Sequence, residues 1–452
     1  MILLSAILVF VAATIGLFFL IEPIPTWYYQ LAWWSYIVAI DSWNRRLAGR
    51  SLLRDQTARF WGLSAVSVAW WTLFEAINLR LGNWYYVMDA PQRSVRWIGG
   101  VIAFATVLPG IVETFELIGN LGWLRSVKVA ALSWTRGKEM ACLGFGATSL
   151  VLPLIWPDLF FPLVWCSFIF LLEPWNRRRA PESFLRDLER GEAGPFCRAL
   201  LAGLVCGILW EQWNYWARTK WIYTVPVVGQ LKLFEMPLLG FLGFPPFAIE
   251  SLVLIRWLDT LWGRAVGSAQ QASRRWGLCA AAGVLALAAM LRVFQAADRI
   301  TVDSYYWPVE RLDILGPDVR RGFTQLGVSS PEQLLRILRT RENLMAFSQR
   351  SGLTVAELRR ARDQIRLVLH RGLGLERAHQ LERLGIRTVE ELAGWQPDQL
   401  AAALRFAGDT TSRRLLERRV RVWLRGLPRR RSASGSAAGP PAPGAVSPGA
   451  IQ

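Results

Sequence analysis

An all-α chain is predicted: a polytopic helical membrane bundle followed by a soluble helical domain. Three observations carry this. The 452 residues are 53% hydrophobic and only 19% charged, short of the charge a soluble domain carries. Of the 24 Trp, 21 fall before residue 300, whereas both His and a dense Arg population fall after it. Third, three sequence elements recur at one fixed spacing. A single water-soluble domain and a secreted disulfide scaffold are excluded.

A helix needs about 20 apolar residues to cross the hydrocarbon core. Nine stretches qualify, at roughly 2–21, 25–42, 61–82, 96–117, 139–156, 158–174, 197–217, 234–256 and 276–296. The first has no basic leader and no clear cleavage site, so it reads as a retained helix. Four loops in the same phase are basic. They carry Arg45 to Arg59, Arg125 to Lys138, Arg177 to Arg198, and Arg264, Arg274 and Arg275. By the positive-inside rule these loops and the N-terminus are cytoplasmic. Counting nine spans in a cell membrane then puts the C-terminal domain outside.

The repeat divides the first 275 residues. Trp33-Trp34-Ser35 is echoed by Trp165-Cys166-Ser167, Asp41-Ser42-Trp43-Asn44-Arg45-Arg46 by Glu173-Pro174-Trp175-Asn176-Arg177-Arg178, and Ser51-Leu52-Leu53-Arg54-Asp55 by Ser183-Phe184-Leu185-Arg186-Asp187. Each pair is 132 residues apart. After small insertions, Glu75, Asn78 and Trp84 correspond to Glu211, Asn214 and Trp221, and Pro109 and Glu113 to Pro246 and Glu250. Repeats at 1–135 and 136–275, four spans each, keep the same orientation and are parallel. The ninth helix, 276–297, lies outside the duplication. A helical domain at 311–425 and a disordered tail at 432–452 complete the organisation.

No His precedes residue 300 and the five Cys are scattered without a CxxC, so neither a metal nor a cofactor is expected. Chemistry inside the membrane would fall to carboxylates, which are costly there and mark candidate sites. Glu75, Glu211, Glu113 and Glu250 are the candidate acids. Asn78 and Asn214 share a helix face with the first two, and Trp84 and Trp221 follow them. A buried carboxyl could protonate an alkene while indole faces stabilise the cation. The same residues would equally serve to bind helices together. Trp43, Arg45, Arg46, Trp175, Arg177 and Arg178 lie at the cytoplasmic surface. They read either as topology anchors or as a clamp for an anionic head group.

The run Phe74-Glu75, Trp84-Tyr85-Tyr86, Gly99-Gly100, Pro109 and Glu113, repeated as Trp210-Glu211, Trp221-Ile222-Tyr223, Gly240, Pro246 and Glu250, resembles the small membrane lycopene cyclase domain. The resemblance implies redox-neutral acid/base chemistry on an isoprenoid, of the cyclase or isomerase kind. It departs from that family in the four-residue Pro-to-Glu spacing, the missing paired acid and the four spans per unit.

In the C-terminal part, Leu326-Gly327-Val328 and Leu384-Gly385-Ile386 each follow a Leu-Gly pair at equal spacing. Arg371-Gly372-Leu373-Gly374-Leu375-Glu376-Arg377-Ala378 resembles a helix-hairpin-helix unit. The resemblance implies a hairpin at Gly372 and Gly374 whose backbone amides hold a phosphate, or a packing module. His370 and His379 read as surface residues. Arg413, Arg414, Arg418, Arg419, Arg421 and Arg425 make a basic last helix, with Arg429, Arg430 and Arg431 beyond it. Such a helix suits a protein partner or a lipid surface; outside the membrane, nucleic acid is not expected. Two functions remain open. One is a membrane protein that binds or modifies an isoprenoid or similar lipid. The other is a non-catalytic scaffold or transporter whose C-terminal domain mediates protein or lipid interaction.

Overall fold

The computed structural model describes residues 1–88, 92–225, 231–262 and 269–428, without the side chains of 262 and 269–282. Arg264, Arg429, Arg430, Arg431 and the tail at 432–452 lie outside the described residues, as do the side chains of Arg274, Arg275 and Cys279.

The described chain is helical almost throughout, with two two-stranded ribbons. Ten longer helices frame the first body: α1 (Ile2–Phe18), α2 (Ile24–Ala48), α3 (Thr57–Leu81), α4 (Arg93–Phe104), α5 (Val107–Asn120), α6 (Arg136–Ile155), α7 (Ser167–Arg179), α8 (Gly194–Trp216), α9 (Phe244–Trp262) and α10 (Ala269–Asp298). Six helical runs are long and apolar enough to cross a membrane. They are Thr57–Leu81, Arg93–Asn120, Arg136–Ile155, Pro157–Arg179, Gly194–Trp216 and Leu238–Leu261. They coincide with six of the nine predicted spans. Among the other three, α1 is apolar but only 17 residues long, and α2 buries the polar residues Gln30, Ser35, Asp41, Ser42 and Asn44.

The core is aromatic. Trp33 on α2 is fully buried and meets Trp210 and Trp213 of α8, with ring centroids 5.4 and 4.8 Å apart. Trp70, Phe74 and Phe247 continue this cluster. The helices approach closely where they carry small residues. Ala199, Gly203 and Gly207 lie four apart on α8, and Gly203 abuts the backbone of Phe244 and Pro245. That spacing is the small-residue pattern that lets membrane helices touch backbone to backbone.

The turns after α2 and α7 are built alike. Ser51 Oγ and the Leu53 amide donate to Asp41 at 2.7 and 3.0 Å. Ser183 Oγ and the Leu185 amide donate to Glu173 at 2.7 and 2.8 Å. In both, the Ser also caps the following short helix. Asp41 is fully buried, and these donors meet its carboxyl on that turn. Asp41→Asn is expected to cost about 2 kcal/mol, the worth of a buried charge-assisted bond. Glu173→Gln should cost a similar amount in the same thermal-unfolding assay, and a neutral result for either would refute the equivalence of the two turns.

Strands β1 (Trp84–Val87) and β2 (Lys220–Tyr223) pair antiparallel, with Trp84 opposite Tyr223 and Tyr86 opposite Trp221. The segment after α10 joins them. Val302 donates to the Tyr86 carbonyl and accepts from the Met88 amide, both at 2.8 Å. The C-terminal body then packs its own core around Leu312, Phe323, Leu358, Ile365, Leu381, Leu400 and Trp423. Its helices include α11 (Val355–Val368), α12 (Gly374–Arg383) and α13 (Arg413–Leu424).

Candidate functional site

A cavity of about 130 Å³ lies beneath the β1–β2 ribbon. Its walls come from α2, α3, α4, α5, α8, α9, α10 and the ribbon, and include the rings of Trp27, Tyr29, Trp71, Trp97, Trp210 and Trp221. Glu75 reaches it from α3. Three donors converge on Glu75 Oε1: Tyr86 Oη at 2.6 Å, Trp71 Nε1 at 2.9 Å and Trp84 Nε1 at 3.2 Å. Trp71 stands one helical turn before Glu75, which places both on one face.

A similar arrangement surrounds Glu211 on α8. Tyr223 Oη donates to Glu211 Oε1 at 2.8 Å. Glu211 Oε2 is buried and has no hydrogen bond among the described residues. Position 207, one turn before Glu211, is Gly, and the Phe244 ring fills the space a side chain would take there. Both tyrosines line the cavity. Burial, and after it the neighbouring glutamate, pushes the phenol of each well above its ordinary pKa, so both remain donors.

Asn78 and Asn214 hold the ribbon in place rather than entering the cavity. Asn78 Nδ2 donates to the Trp84 carbonyl at 2.9 Å and Oδ1 accepts from the Asn83 amide at 2.8 Å. Asn214 grips the carbonyl and amide of Trp221 at 3.0 and 2.9 Å. Of the four candidate acids only Glu75 lines the cavity; Glu211, Glu113 and Glu250 do not. Glu113 accepts from Asn44 Nδ2 at 2.8 Å, and Glu250 from the Phe168 amide at 2.8 Å.

Three of the four surface arginines, Arg45, Arg177 and Arg178, are engaged within the chain. Arg45 pairs with Asp55 at 3.1 Å. Arg177 takes Glu189 through two bonds of 2.8 Å. Arg178 pairs with Glu139. Trp43 and Arg46 are exposed, and Trp175 donates to Thr260 at 3.2 Å.

Three parts of the site were not singled out from the sequence. Trp71 is the first; its four-residue spacing from Glu75 was a readable signal. The phenols of Tyr86 and Tyr223 are the second. The third is the wall supplied by α10. There Asp298 accepts from Trp97 Nε1 at 3.0 Å and pairs with Arg93 and Arg96 at 2.9 and 3.3 Å, while Phe294 packs on Trp97 and Phe104. No periodicity in the sequence links residues 200 apart.

The hairpin at Gly372 and Gly374 faces the ribbon. Both glycines have positive φ, +75° and +81°. Tyr85 Oη donates to the Arg371 and Gly372 carbonyls at 3.2 and 3.3 Å. A Cβ on Gly372 would stand 2.5 Å from Ile222, and one on Gly374 2.4 Å from Val302. The basic helix α13 docks beside it. Arg418 Nη1 donates to the Leu81 and Gly82 carbonyls at 2.8 and 3.0 Å and pairs with Asp158. Arg419 stacks on Tyr85 at 4.1 Å and donates to the Ile300 carbonyl. Burial pushes its guanidinium down to about 10, with repulsion from Arg377 adding to the shift.

Neither the curated proteins nor the solved structures yield a match. The C-terminal body is similar to one described family: residues 314–425 match the model for a domain of unknown function, DUF4332.

Proposed function

We propose that the chain is an integral membrane protein that binds or modifies an isoprenoid or similar lipid, in a bundle duplicated from one four-helix unit. The observation that carries this is the cavity. It is lined by five indoles and reached by the buried carboxylate of Glu75, and the tyrosines of both Glu–Tyr pairs, Tyr86 and Tyr223, line it. A Tyr backed by a Glu can pass a proton, and indole faces can stabilise the positive charge that follows. This is the redox-neutral chemistry that the lycopene cyclase resemblance implies. The duplication is supported by the matching turns at Asp41 and Glu173 and by the matching grips of Asn78 and Asn214. Nine spans follow if α1, α2 and α10 are added to the six long apolar runs. The Arg-rich loops then face the cytoplasm, and the ribbon and the C-terminal domain face the other side.

The test is mass spectrometry of the lipids that co-purify with wild type, Glu75→Gln and Glu211→Gln chains. The expected result is one isoprenoid or related lipid enriched with wild type and depleted at least several-fold in Glu75→Gln. Identical bulk phospholipid in all three would overturn the reading. A scaffold or transporter is the second reading, favoured by Asn78, Asn214, Glu113 and Glu250. Each of these bonds backbone or side-chain groups of the bundle itself.

A further inference from the structure

We propose that the cavity seats the ammonium head of an amphiphile against the Glu75 carboxylate. This rests on the reading of the cavity as a lipid site and names the ligand's head group. Glu75 is 3% exposed, and its three partners are two indoles and a phenol, all uncharged. The two cationic side chains of the described lining, Arg96 and Lys220, are engaged elsewhere. Arg96 pairs with Asp298 and Asp303, and Lys220 Nζ donates to the Tyr215 carbonyl at 2.8 Å. The carboxylate thus faces an apolar space with dipoles around it and no counter-ion from the lining.

A buried charge left in that state is costly, and a ligand that supplies the opposite charge removes the cost. An anionic head would meet the same carboxylate with repulsion. A purely apolar chain would fill the space and leave the charge unmatched. The walls add a second selection for the same chemistry. Trp27, Tyr29, Trp71, Trp97, Trp210 and Trp221 surround the space, and aromatic rings attract alkylated ammonium groups that are too poorly hydrated to resist burial. At about 130 Å³ the cavity has room for well more than a single water, enough for a compact methylated nitrogen.

The probes are choline and its uncharged carbon isostere, 3,3-dimethylbutan-1-ol. Each is titrated into the full chain in maltoside micelles and followed by saturation-transfer NMR. Wild type is expected to bind choline at least tenfold more tightly than the alcohol. Glu75→Gln should abolish that preference while still binding the alcohol, which also shows that the variant is folded. Glu211→Gln should keep it. Gly99→Leu, which fills the cavity from a position with ordinary contacts around its Cβ, should weaken both compounds at least tenfold. Equal binding of the two compounds by wild type, or an unchanged preference in Glu75→Gln, overturns the ammonium assignment alone. If neither compound binds wild type, the lipid-site reading falls with it.

Discussion

Arg418→Met is expected to release the C-terminal domain from the ribbon end of the bundle. Arg418 is 4% exposed and serves the Leu81 and Gly82 carbonyls, which end helix α3. These carbonyls have no partner within the helix. A bond from a charged donor is worth about 1.5–3 kcal/mol, so losing two costs roughly 3 kcal/mol or more. The Asp158 pair adds little, because Asp158 is 56% exposed. Arg414, which also reaches the Arg80 carbonyl at 2.6 Å, would be left to hold that end of α3. Hydrogen exchange at the Val302 and Met88 amides reports the effect, since these bonds join the segment after α10 to the end of β1. Their exchange should accelerate by about 100-fold or more, the ratio that roughly 3 kcal/mol implies. Arg421→Met, at a position 55% exposed and paired only loosely with Glu417 at 3.9 Å, should leave both amides unchanged. Equal protection in wild type and Arg418→Met would refute the docking role.

This docking shows where sequence reasoning stops. The arginines from 413 to 425 read as a free basic surface suited to lipid or protein, because a sequence displays charge but not the carbonyls that meet it. The carbonyls that Arg418 meets lie more than 330 positions earlier. The hairpin glycines were legible as a tight turn, and their positive φ values agree. What they press against was not, because Tyr85 and Val302 are placed there by strand pairing that only the fold creates. The same limit applies to the four carboxylates. Spacing located each along its helix but gave no direction around the helix axis. Glu75 therefore turns to the cavity while Glu113 and Glu250 turn to neighbouring backbone and amide groups. The 132-residue spacing was informative at longer range. It pairs Ser51 with Ser183 and Asp41 with Glu173, residues that make the same bonds in each half. The Ala199-Gly203-Gly207 row was equally visible as a four-residue spacing, though it lay hidden in a span already assigned by its hydropathy.

That row sets the largest expected effect on stability. Gly203→Leu should prevent α8 and α9 from meeting. A Cβ at Gly203 would stand 2.5 Å from the Phe244 carbonyl oxygen and 2.8 Å from the Pro245 Cα and the Ala248 Cβ. Two of these three atoms are backbone, so no rotamer change makes room, and the helices must part. Overpacking that side chains can absorb costs about 1–3 kcal/mol, and this site lies above that range. Separation would also disturb the cavity, because α8 supplies Trp210 and α9 begins at Phe244, which both line it. The expected outcome is loss of the monodisperse peak in size-exclusion chromatography, or a fall in melting temperature well beyond that of Asp41→Asn. Gly144→Leu is the control. It lies in α6 with nothing within 4 Å of its Cβ, and Leu is about 1 kcal/mol better than Gly in a helix. A Gly144→Leu chain should match or exceed wild-type stability. If Gly203→Leu were as stable as Gly144→Leu, the close contact between α8 and α9 would be wrong, and with it the wall that brings Trp210 to the cavity.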